Sequence, residues 1–360
     1  MNLFKKLSGK RSGRLEQKWV FDAKSQILST PTISKIGNNE TSIVFGTKDG
    51  NVHSLKEDST LNWTYSISEK KSKVEMLFLE KEFYKGIYSS PAVADINNDK
   101  KPETIIGSDI GKIYALNHKG KLLWNFATND IIRSSPLIAD INNDNQLEII
   151  FGSNDTYLYC LDSKGKILWN FKADSGIESS PNFLQDRIIF GSNKGTIYCL
   201  TNTGNLLWKF KTKGKIACKP VIGDIYSSGR PSIVIGSCDN NLYVLNQEGR
   251  LEWKYPTEGR IYGDACLVDV NNDKRLEIIF GSCDNNIYVL SSNGTKIWSY
   301  ASNFFIVDKP IIADMDNNGK LEIAIGSYDH FLYIFEGEGA FSLNYMPGIS
   351  GIVQQTGHYS

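Results

Sequence analysis

The sequence predicts an all-β chain that folds as a seven-bladed β-propeller of four-stranded antiparallel blades. A Trp followed two residues later by an aromatic residue occurs seven times, and a Gly followed by Ser or Thr after an apolar run also occurs seven times. Both sets of spacings contain the run 61, 45, 39, 45 and 45 residues. Two markers in phase, with a period near 45, are typical of four-stranded propeller blades. The tryptophans are Trp19, Trp63, Trp124, Trp169, Trp208, Trp253 and Trp298, and the glycines are Gly46, Gly107, Gly152, Gly191, Gly236, Gly281 and Gly326.

Each unit is expected to contain four strands, A to D, as the unit that begins at Arg133 illustrates. Its strands are expected at residues 134–141, 147–152, 156–162 and 166–171. These runs are short, rich in Ile, Val, Tyr and Phe, and bounded by Gly, Asn and Asp, which is typical of strands and not of helices. A single sheet cannot bury both of its faces, so we expect the units to stack in a ring with each indole buried against the next blade.

The two ends of the chain offer rival strands for closing the ring. We expect a basic N-terminal arm at 1–14, the propeller at 15–345 and a C-terminal tail at 346–360. The segment around Trp19 offers one D strand for the last blade, and the segment around Leu343 offers another. We favour the N-terminal strand, because a strand from the far end of the chain would hold the ring closed and because Leu343 stands where the other D strands have a tryptophan.

Two units depart from the common period. Residues 66–87 form an insertion between the first two blades, in which an apolar run at 74–79 is flanked by charged residues. This insertion either folds onto the rim as a small hairpin or helical turn, or docks a partner, since loops carry function more often than scaffolds do. The unit of 39 residues is short in its A-to-B loop, at 181–188.

The composition limits the class of protein. The 40 basic and 40 acidic side chains give a net charge of zero, which argues against nucleic acid as a partner. No run of 18 or more apolar residues is present, so no membrane span is expected. The N-terminus lacks the apolar core of a secretory signal, so a cytoplasmic location is favoured, with export by another route left open. We expect a monomer, with its six cysteines as free thiols because equivalent positions on stacked sheets lie beyond disulfide reach.

Four A-to-B loops carry oxygen side chains at positions 1, 3, 5 and 9 of a nine-residue motif. Such side chains, with a main-chain carbonyl at position 7, can converge on calcium, which accepts six to eight oxygen ligands in flexible geometry. The alternative is that Asp and Asn only form tight turns, but turn chemistry does not require the Glu at position 9. We expect structural calcium, and the candidate residues are Asp95, Asn97, Asp99, Lys101 and Glu103; Asp140, Asn142, Asp144, Gln146 and Glu148; Asp269, Asn271, Asp273, Arg275 and Glu277; and Asp314, Asp316, Asn318, Lys320 and Glu322.

The equivalent loops of two other units have lost this pattern. Lys35 stands at position 1 in the first unit, and the loop from Asp224 to Ser232 in the fifth unit has one carboxylate. We expect both loops to be free of metal.

Two repeat families resemble this chain. The Asp-x-Asn-x-Asp-x-x-x-Glu loop followed by Ile-Ile-Gly-Ser resembles the FG-GAP repeat of integrin-type propellers, a resemblance that implies calcium in the corresponding loops. The half-unit at 113–126, Ile-Tyr-Ala-Leu-Asn-His-Lys-Gly-Lys-Leu-Leu-Trp-Asn-Phe, is similar to the repeat of pyrroloquinoline-quinone-like propellers. The second resemblance is confined to repeat architecture, and no adjacent Cys-Cys pair occurs, so we expect no pyrroloquinoline quinone. Both resemblances imply the fold and leave the function open.

No catalytic motif is apparent, and the most informative variable positions precede the A strands. The chain has no Gly-rich phosphate loop, Gly-x-Ser-x-Gly, His-Glu-x-x-His or Cys-x-x-Cys. We therefore expect a non-catalytic scaffold that binds a protein or glycan partner through its loop face, with calcium loops on the other face. The alternative is an enzyme at the channel mouth, such as a polysaccharide lyase or a quinone-linked redox protein. The candidate partner-binding residues are Tyr88, Arg133, Glu178, Lys219, Tyr262, Asp264 and Lys309.

Overall fold

The chain forms seven antiparallel β-sheets, which confirms the predicted fold class. The computed structural model describes residues 19–36, 40–67, 86–271, 273–314 and 320–340. In this part of the chain, six sheets have four strands and the last has three. We number the sheets as blades 1 to 7 in chain order.

The strands of each blade follow one another along the chain. Blade 1 contains β1 (Thr32–Ile36), β2 (Glu40–Gly46), β3 (Asn51–Lys56) and β4 (Leu61–Ser66); blade 2 contains β5 (Ala92–Ala94), β6 (Glu103–Gly107), β7 (Lys112–Leu116) and β8 (Leu122–Ala127). Blade 3 contains β9 (Leu137–Ala139), β10 (Glu148–Gly152), β11 (Tyr157–Leu161) and β12 (Ile167–Lys172); blade 4 contains β13 (Asn182–Leu184), β14 (Arg187–Gly191), β15 (Thr196–Thr201) and β16 (Leu206–Lys211). Blade 5 contains β17 (Val221–Gly223), β18 (Ser232–Ser237), β19 (Asn241–Leu245) and β20 (Leu251–Pro256); blade 6 contains β21 (Cys266–Val268), β22 (Glu277–Gly281), β23 (Asn286–Leu290) and β24 (Lys296–Ala301). Blade 7 contains β25 (Ile311–Ala313), β26 (Lys320–Gly326) and β27 (Leu332–Ala340).

The A strands are the inner strands of the ring. They are three residues long in blades 2 to 7, and those of consecutive blades contact one another from blade 1 to blade 6. The B and C strands are almost entirely buried, whereas the D strands are largely exposed. Because successive strands of a blade run antiparallel, the D-to-A and B-to-C loops lie on one face of the ring, called here the mouth face, and the A-to-B and C-to-D loops lie on the opposite face.

The repeated glycine at the end of each B strand is required by contact between blades. A Cβ atom placed on Gly152 would lie 2.2 Å from Cγ2 of Ile177, in the next D-to-A loop. The glycines of blades 1 to 6 all meet an isoleucine in this way, at 2.1–2.5 Å. Real carbon atoms pack at about 3.5–4.0 Å, so any larger residue would separate adjacent sheets.

The tryptophans join neighbouring blades, although they are less buried than the sequence predicted. The Nε1–H of Trp124 donates a hydrogen bond of 2.9 Å to the carbonyl of Ser163, in the C-to-D turn of the next blade. In the same turn, Gly165 has a φ of +79° and lies directly against the indole ring. Only Trp63 is buried among the seven; five are half-buried, and Trp298 is 37% exposed. The indoles cover the outer edges of the blade interfaces, which leaves one ring face in water.

The N-terminal segment packs against blade 1, on the side where the D strand of the preceding blade would lie. Trp19 donates from Nε1 to the carbonyl of Glu57 at 2.9 Å, the contact that every following D strand makes up to blade 5. Phe21 and Ala23 pack with Trp19 against Phe45 and Leu55 of blade 1. Within the described ranges, no β-ladder joins this segment to β27, so the ladder that would complete blade 7 stays a prediction.

Several predicted segments lie outside the described residues. These are the basic arm at 1–14, most of the insertion at 66–87 and the tail at 346–360. The shortened loop of blade 4 is described, and only Gln185 and Asp186 connect its two strands. None of the described elements is a helix of the length and apolarity needed to cross a membrane.

Candidate functional site

The aspartate at position 1 of each calcium-type loop holds the loop backbone in place. In blade 2, Asp95 accepts the N–H of Asp99 at 3.1 Å and that of Lys100 at 2.7 Å. The loops that begin at Asp140 and Asp269 make the same two hydrogen bonds. The carboxylate thus satisfies two backbone donors at a tight turn, as an Asx turn does.

The glutamate at position 9 of these loops accepts a hydrogen bond from the loop backbone, a structural role that the sequence did not reveal. Glu103 is fully buried and accepts the N–H of Ile96 through Oε2 at 3.2 Å. Glu148 and Glu277 accept the equivalent N–H groups, both at 2.9 Å. This bond uses only one oxygen, and Oε1 of Glu103 is buried without any hydrogen-bond partner.

The buried glutamates lie in a negative environment. Burial, with the charges of Asp99 and Asp95, raises the pKa of Glu103 to about 7, although the Ile96 N–H opposes the rise. Burial and the neighbouring aspartates also raise the pKa of Glu277 to about 7. In blade 2, a cation would satisfy the unpartnered Oε1 of Glu103 and offset the like charges of the neighbouring carboxylates, so these residues fit a cation chemically.

The coordination geometry itself is not assembled in the described loops. Among the described residues, no group of three or more His, Cys, Asp or Glu side chains could hold a metal ion. In blade 3, the amide nitrogen of Asn142 donates to Asp144 at 3.1 Å and to Glu148 at 3.4 Å, so the amide nitrogen lies between the carboxylates. A cation there would require the amide oxygen instead. In blade 7, Asp316 and Asn318 lie outside the described residues.

The position-7 residues close the loops through their backbone nitrogen. The N–H of Lys101 donates to Asp99 at 2.8 Å, and Gln146 and Arg275 donate equivalently in their own loops. In blade 7, the ammonium group of Lys320 lies 3.2 Å from the Glu336 carboxylate.

The loop of blade 5 shows which part of the motif serves folding. Asp224 accepts the N–H groups of Ser228 and Gly229, as the position-1 aspartates of the other loops do. Ser232 replaces the glutamate and donates to Glu252 of β20 at 3.0 Å. The loop therefore folds without Asn or Asp at positions 3 and 5 and without Glu at position 9, so the side chains at those positions are the ones available for a cation.

On the mouth face, Arg133 is held in one orientation by its neighbours. Its Nε and Nη2 donate to the two oxygens of Asp109 at 3.1 and 3.0 Å, and its Cζ lies 4.3 Å from the centroid of the Tyr88 ring. Asp109 is only 6% exposed, whereas the Arg133 side chain is 36% exposed. The hydrogen bonds that Arg133 donates to Asp109 raise the pKa of Arg133. A fixed guanidinium of this kind is suited to binding a planar or anionic group.

Glu178 is the centre of a second mouth contact, one blade further round the ring. Its Oε2 lies 2.6 Å from Nζ of Lys215, and its Oε1 accepts from Asn193 at 3.4 Å. Burial favours the neutral form, but the hydrogen bond and charge of Lys215 outweigh it and hold the pKa of Glu178 below its usual value. The structure thus places Arg133 and Glu178 on one mouth surface with opposite, locally paired charges.

The four other predicted partner residues lie in blades 5 to 7. The N–H of Lys219 donates to Oδ1 of Asp264 at 2.6 Å, which joins blades 5 and 6. Tyr262 accepts a hydrogen bond of 3.1 Å from Arg260. Lys309 is exposed at the equivalent position of blade 7. These residues surround the channel at the start of the A strands.

The acidic residues of the B-to-C turns have structural partners. In blade 3, Asp155 accepts from the hydroxyl of Tyr159 at 2.8 Å, and the same bond occurs in blades 5, 6 and 7. In blade 4, which lacks this acid, Asp174 of the D-to-A loop accepts from Ser192 and Thr196 instead. These acids hold loops together and are not free for binding.

The partners of the mouth residues could not be identified from the sequence. Asp109 and Asn193 directly follow a Gly-Ser pair, at a position where five residue types occur in the seven units, while the pair is Gly-Ser in six units and Gly-Thr in the first. That variation within a fixed frame was the available signal. The residues at this position are Lys48, Asp109, Asn154, Asn193, Cys238, Cys283 and Tyr328.

The expected free thiols agree with the structure. All six cysteines are unpaired, and only Cys238 and Cys283 are partly exposed. Burial raises the pKa of both thiols.

Comparisons with known proteins place the chain among β-propellers. The sequence matches the lambda-carrageenase β-propeller domain over residues 92–139, 134–179, 183–252 and 246–345. The structure is similar to the crystal structure of BamB from Moraxella catarrhalis, with a TM-score of 0.64 and 15% identity over 89% of this chain and 86% of that chain. It is also similar to Saccharomyces cerevisiae Sqt1, with a TM-score of 0.57 and 14% identity over 88% of this chain and 97% of that chain. At such identities, these likenesses show the fold alone. A comparison with curated proteins finds no match. Because the family match spans more than half of its length, the chain belongs to the lambda-carrageenase β-propeller domain family.

Proposed function

We propose that this propeller is a non-catalytic scaffold that binds a protein or glycan partner through its mouth face. The observation that carries the proposal is the fixed guanidinium of Arg133. Asp109 and Tyr88 hold the group in place, while its Nη1 makes no hydrogen bond to any described residue. Pre-organised groups lose little conformational entropy on binding, which makes them effective anchors. The family description, which names a carrageenase, supports a glycan as the partner.

Binding to a glycan array and capture of proteins from a lysate test this proposal. Arg133→Gln removes the charge and the donors, and Asp109→Asn removes the carboxylate that orients them. Both variants are expected to reduce binding about tenfold or more, the effect of losing one charged hydrogen bond. Arg250→Gln is the matched control, because Arg250 is an exposed arginine in a C-to-D turn on the opposite face. Equal binding by Arg133→Gln and the control would contradict the proposal.

We also propose structural calcium in the loops of blades 2, 3, 6 and 7. In blade 2, Asp95, Asn97, Asp99 and Glu103 would hold the ion, with the carbonyl of Lys101 as a further ligand. The buried Oε1 of Glu103 supports the proposal, because it has no other partner among the described residues. The ion would link the A-to-B loop to the first residue of β6 and so stabilise the opposite face.

Calorimetry with calcium and with magnesium tests the metal proposal. Calcium at about 100 times its Kd is expected to stabilise the fold by roughly 2.7 kcal/mol for each independent site. Glu103→Gln and Glu322→Gln are each expected to remove one site. Asp224→Asn is the control, since its loop lacks the other acids. If neither calcium nor magnesium produces binding heat or a thermal shift, the proposal is refuted.

A second candidate function is cleavage of a polysaccharide at the channel mouth, and the carrageenase in the family description favours it. Incubation with λ-carrageenan, followed by measurement of new chain ends, tests this function. Turnover that is abolished by Arg133→Gln, Tyr262→Phe or Asp264→Asn would replace the scaffold proposal. Absence of turnover, with the glycan still bound, would support the scaffold.

A further inference from the structure

Seven residues form a ring at the inner edge of the mouth face, each two positions before the first residue of an A strand. The position is the same in every blade, and we call these residues the inner ring. They are Thr30, Ser90, Ser135, Ser180, Lys219, Asp264 and Lys309.

Backbone hydrogen bonds fix the inner ring from one blade to the next. The N–H of Thr30 donates to Oγ of Ser90 at 3.1 Å, that of Ser90 to Oγ of Ser135 at 3.0 Å, and that of Ser135 to Oγ of Ser180 at 2.9 Å. Asp264 takes the same role between blades 5 and 6, because its Oδ1 accepts the N–H of Lys219 at 2.6 Å. The hydroxyl groups of these three serines and the carboxylate of Asp264 are therefore held beside the channel.

The three serines retain an unused donor. Each hydroxyl accepts a backbone N–H, and among the described residues none of the three donates its own proton to an acceptor. All three serines are half-buried, so their outer side remains accessible. A serine hydroxyl has one donor and two acceptor positions, and these donors are free for a ligand in the channel.

The two lysines of the inner ring also lack a carboxylate partner. Within the described ranges, neither Lys219 nor Lys309 has an oxygen of an acid within the 4.0 Å of an ion pair. Lys219 is half-buried, and burial together with the nearby positive charge of Lys309 lowers its pKa, while Asp264 opposes that shift. Lys219 and Lys309 stand on either side of Asp264 in the order of the inner ring, so two ammonium groups face one inner-ring carboxylate and leave an excess of positive charge.

We propose that the inner ring binds an oxyanion group, a sulfate, phosphate or carboxylate, between Lys219 and Lys309 with the serine hydroxyls as further donors. The proposal rests on the proposed function, because it names the ligand chemistry at the base of the same mouth. Asp264 is the one acid of the inner ring, and its charge weakens the binding of an anion. Asp264 also accepts the N–H of Lys219 through Oδ1. Asparagine has an oxygen at the same position, so Asp264→Asn removes the charge and keeps this hydrogen bond.

Because the inner-ring lysines and Asp264 carry opposite charges, their variants are expected to change anion binding in opposite directions. Sodium sulfate, phosphate and acetate are titrated separately by calorimetry, with sodium chloride added to keep the ionic strength constant. Lys219→Gln is expected to weaken binding about tenfold, the effect of one charge-assisted hydrogen bond. Lys309→Gln is expected to weaken it about threefold, since an exposed charge is screened by water. Asp264→Asn is expected to tighten binding about threefold, and Lys254→Gln, an exposed lysine of β20, is expected to change nothing.

The three titrations distinguish among the oxyanions, and the variants distinguish the ring from the mouth. Saturable binding of any one oxyanion with these signs supports the proposal and identifies the group. Heat that equals that of chloride alone, or equal weakening by Lys219→Gln and Lys254→Gln, overturns it. Arg133→Gln is measured in parallel for partner capture. If partner capture depends on Arg133 while no oxyanion binds, the inner-ring proposal fails and the scaffold function stands.

Discussion

The packing of an indole on a turn glycine leads to a quantitative prediction about how the blades hold together. Gly165 and Gly229 have nearly the same backbone conformation, with φ of +79° and +78°. A Cβ on Gly165 would lie 2.6 Å from the Trp124 ring, whereas a Cβ on Gly229 would have nothing within 4 Å. Alanine at either site has the left-handed backbone cost, about 1–2 kcal/mol. Only at Gly165 does it also press against the neighbouring blade.

The extra cost at Gly165 follows from the contact distances. Carbon atoms pack at about 3.5–4.0 Å, so the indole or the turn must move by roughly 1 Å. The indole cannot move freely, since its Nε1–H is bonded to Ser163 in the same turn. Overpacking costs about 1–3 kcal/mol, and a weakened hydrogen bond adds about 0.5–1.5 kcal/mol. Gly165→Ala is therefore expected to destabilise the fold by roughly 2–4 kcal/mol more than Gly229→Ala.

Equilibrium unfolding in guanidinium chloride, followed by tryptophan fluorescence, measures this difference. A Trp124→Phe background completes a double-mutant cycle, because the smaller ring leaves room for the Cβ and should recover about half of the extra loss. If the two alanine variants lose the same free energy of unfolding, or if Trp124→Phe recovers none of it, the tryptophans do not join the blades as described.

Three further predictions follow from other contacts. Trp208→Phe removes the donor to the carbonyl of Gln247 and is expected to cost about 1–3 kcal/mol, whereas Trp298→Phe, at the exposed site, should cost less than 1 kcal/mol in the same unfolding assay. Asp174→Asn is expected to lower the free energy of unfolding by about 1–3 kcal/mol, because Asp174 accepts side-chain hydrogen bonds from Ser192, Thr196 and Lys211. Burial favours the neutral form of Asp174, but these hydrogen bonds outweigh burial and lower the pKa of Asp174 from 3.8 to about 2. The stabilisation by the charged carboxylate is therefore present above pH 4 and is lost as the pH falls towards 2. Acid titrations of the wild type and of Asp174→Asn should diverge across this range.

The blade architecture could be predicted because the contacts that define it repeat in the sequence. Gly152 and Ile177 meet at an interface that recurs in six blades, and each repeat needs the same small residue and the same branched one. Trp124 and Gly165 recur for the same reason. Residues that serve an identical contact many times leave a periodic signal, which one sequence is sufficient to reveal.

The site was only partly predictable, because the partners of its residues carry no repeated marker in the sequence. The sequence identified Arg133 but not its partner Asp109, which is 24 positions earlier and reaches it only through the alignment of adjacent blades. It identified Glu103 as an acid that a tight turn does not require, but it did not reveal the hydrogen bond from the Ile96 N–H that gives this acid a structural role. The first contact depends on the placement of one loop against another and the second on the path of the backbone within one loop, and composition and spacing encode neither.

The mouth residues also show how the fold leaves side chains free to specify a ligand. At the position after each Gly-Ser pair, the link to the preceding D-to-A loop is made by the backbone: the N–H of Asn154 donates to Ile131, that of Cys238 to Lys215 and that of Cys283 to Arg260. These bonds form whatever the side chain is, because they use only main-chain atoms. The side chain therefore contributes little to closing the ring, and an amide, a thiol or a carboxylate can stand there at similar stability. At this position the backbone maintains the frame whatever the side chain is, which is the physical reason for seeking the partner at the mouth.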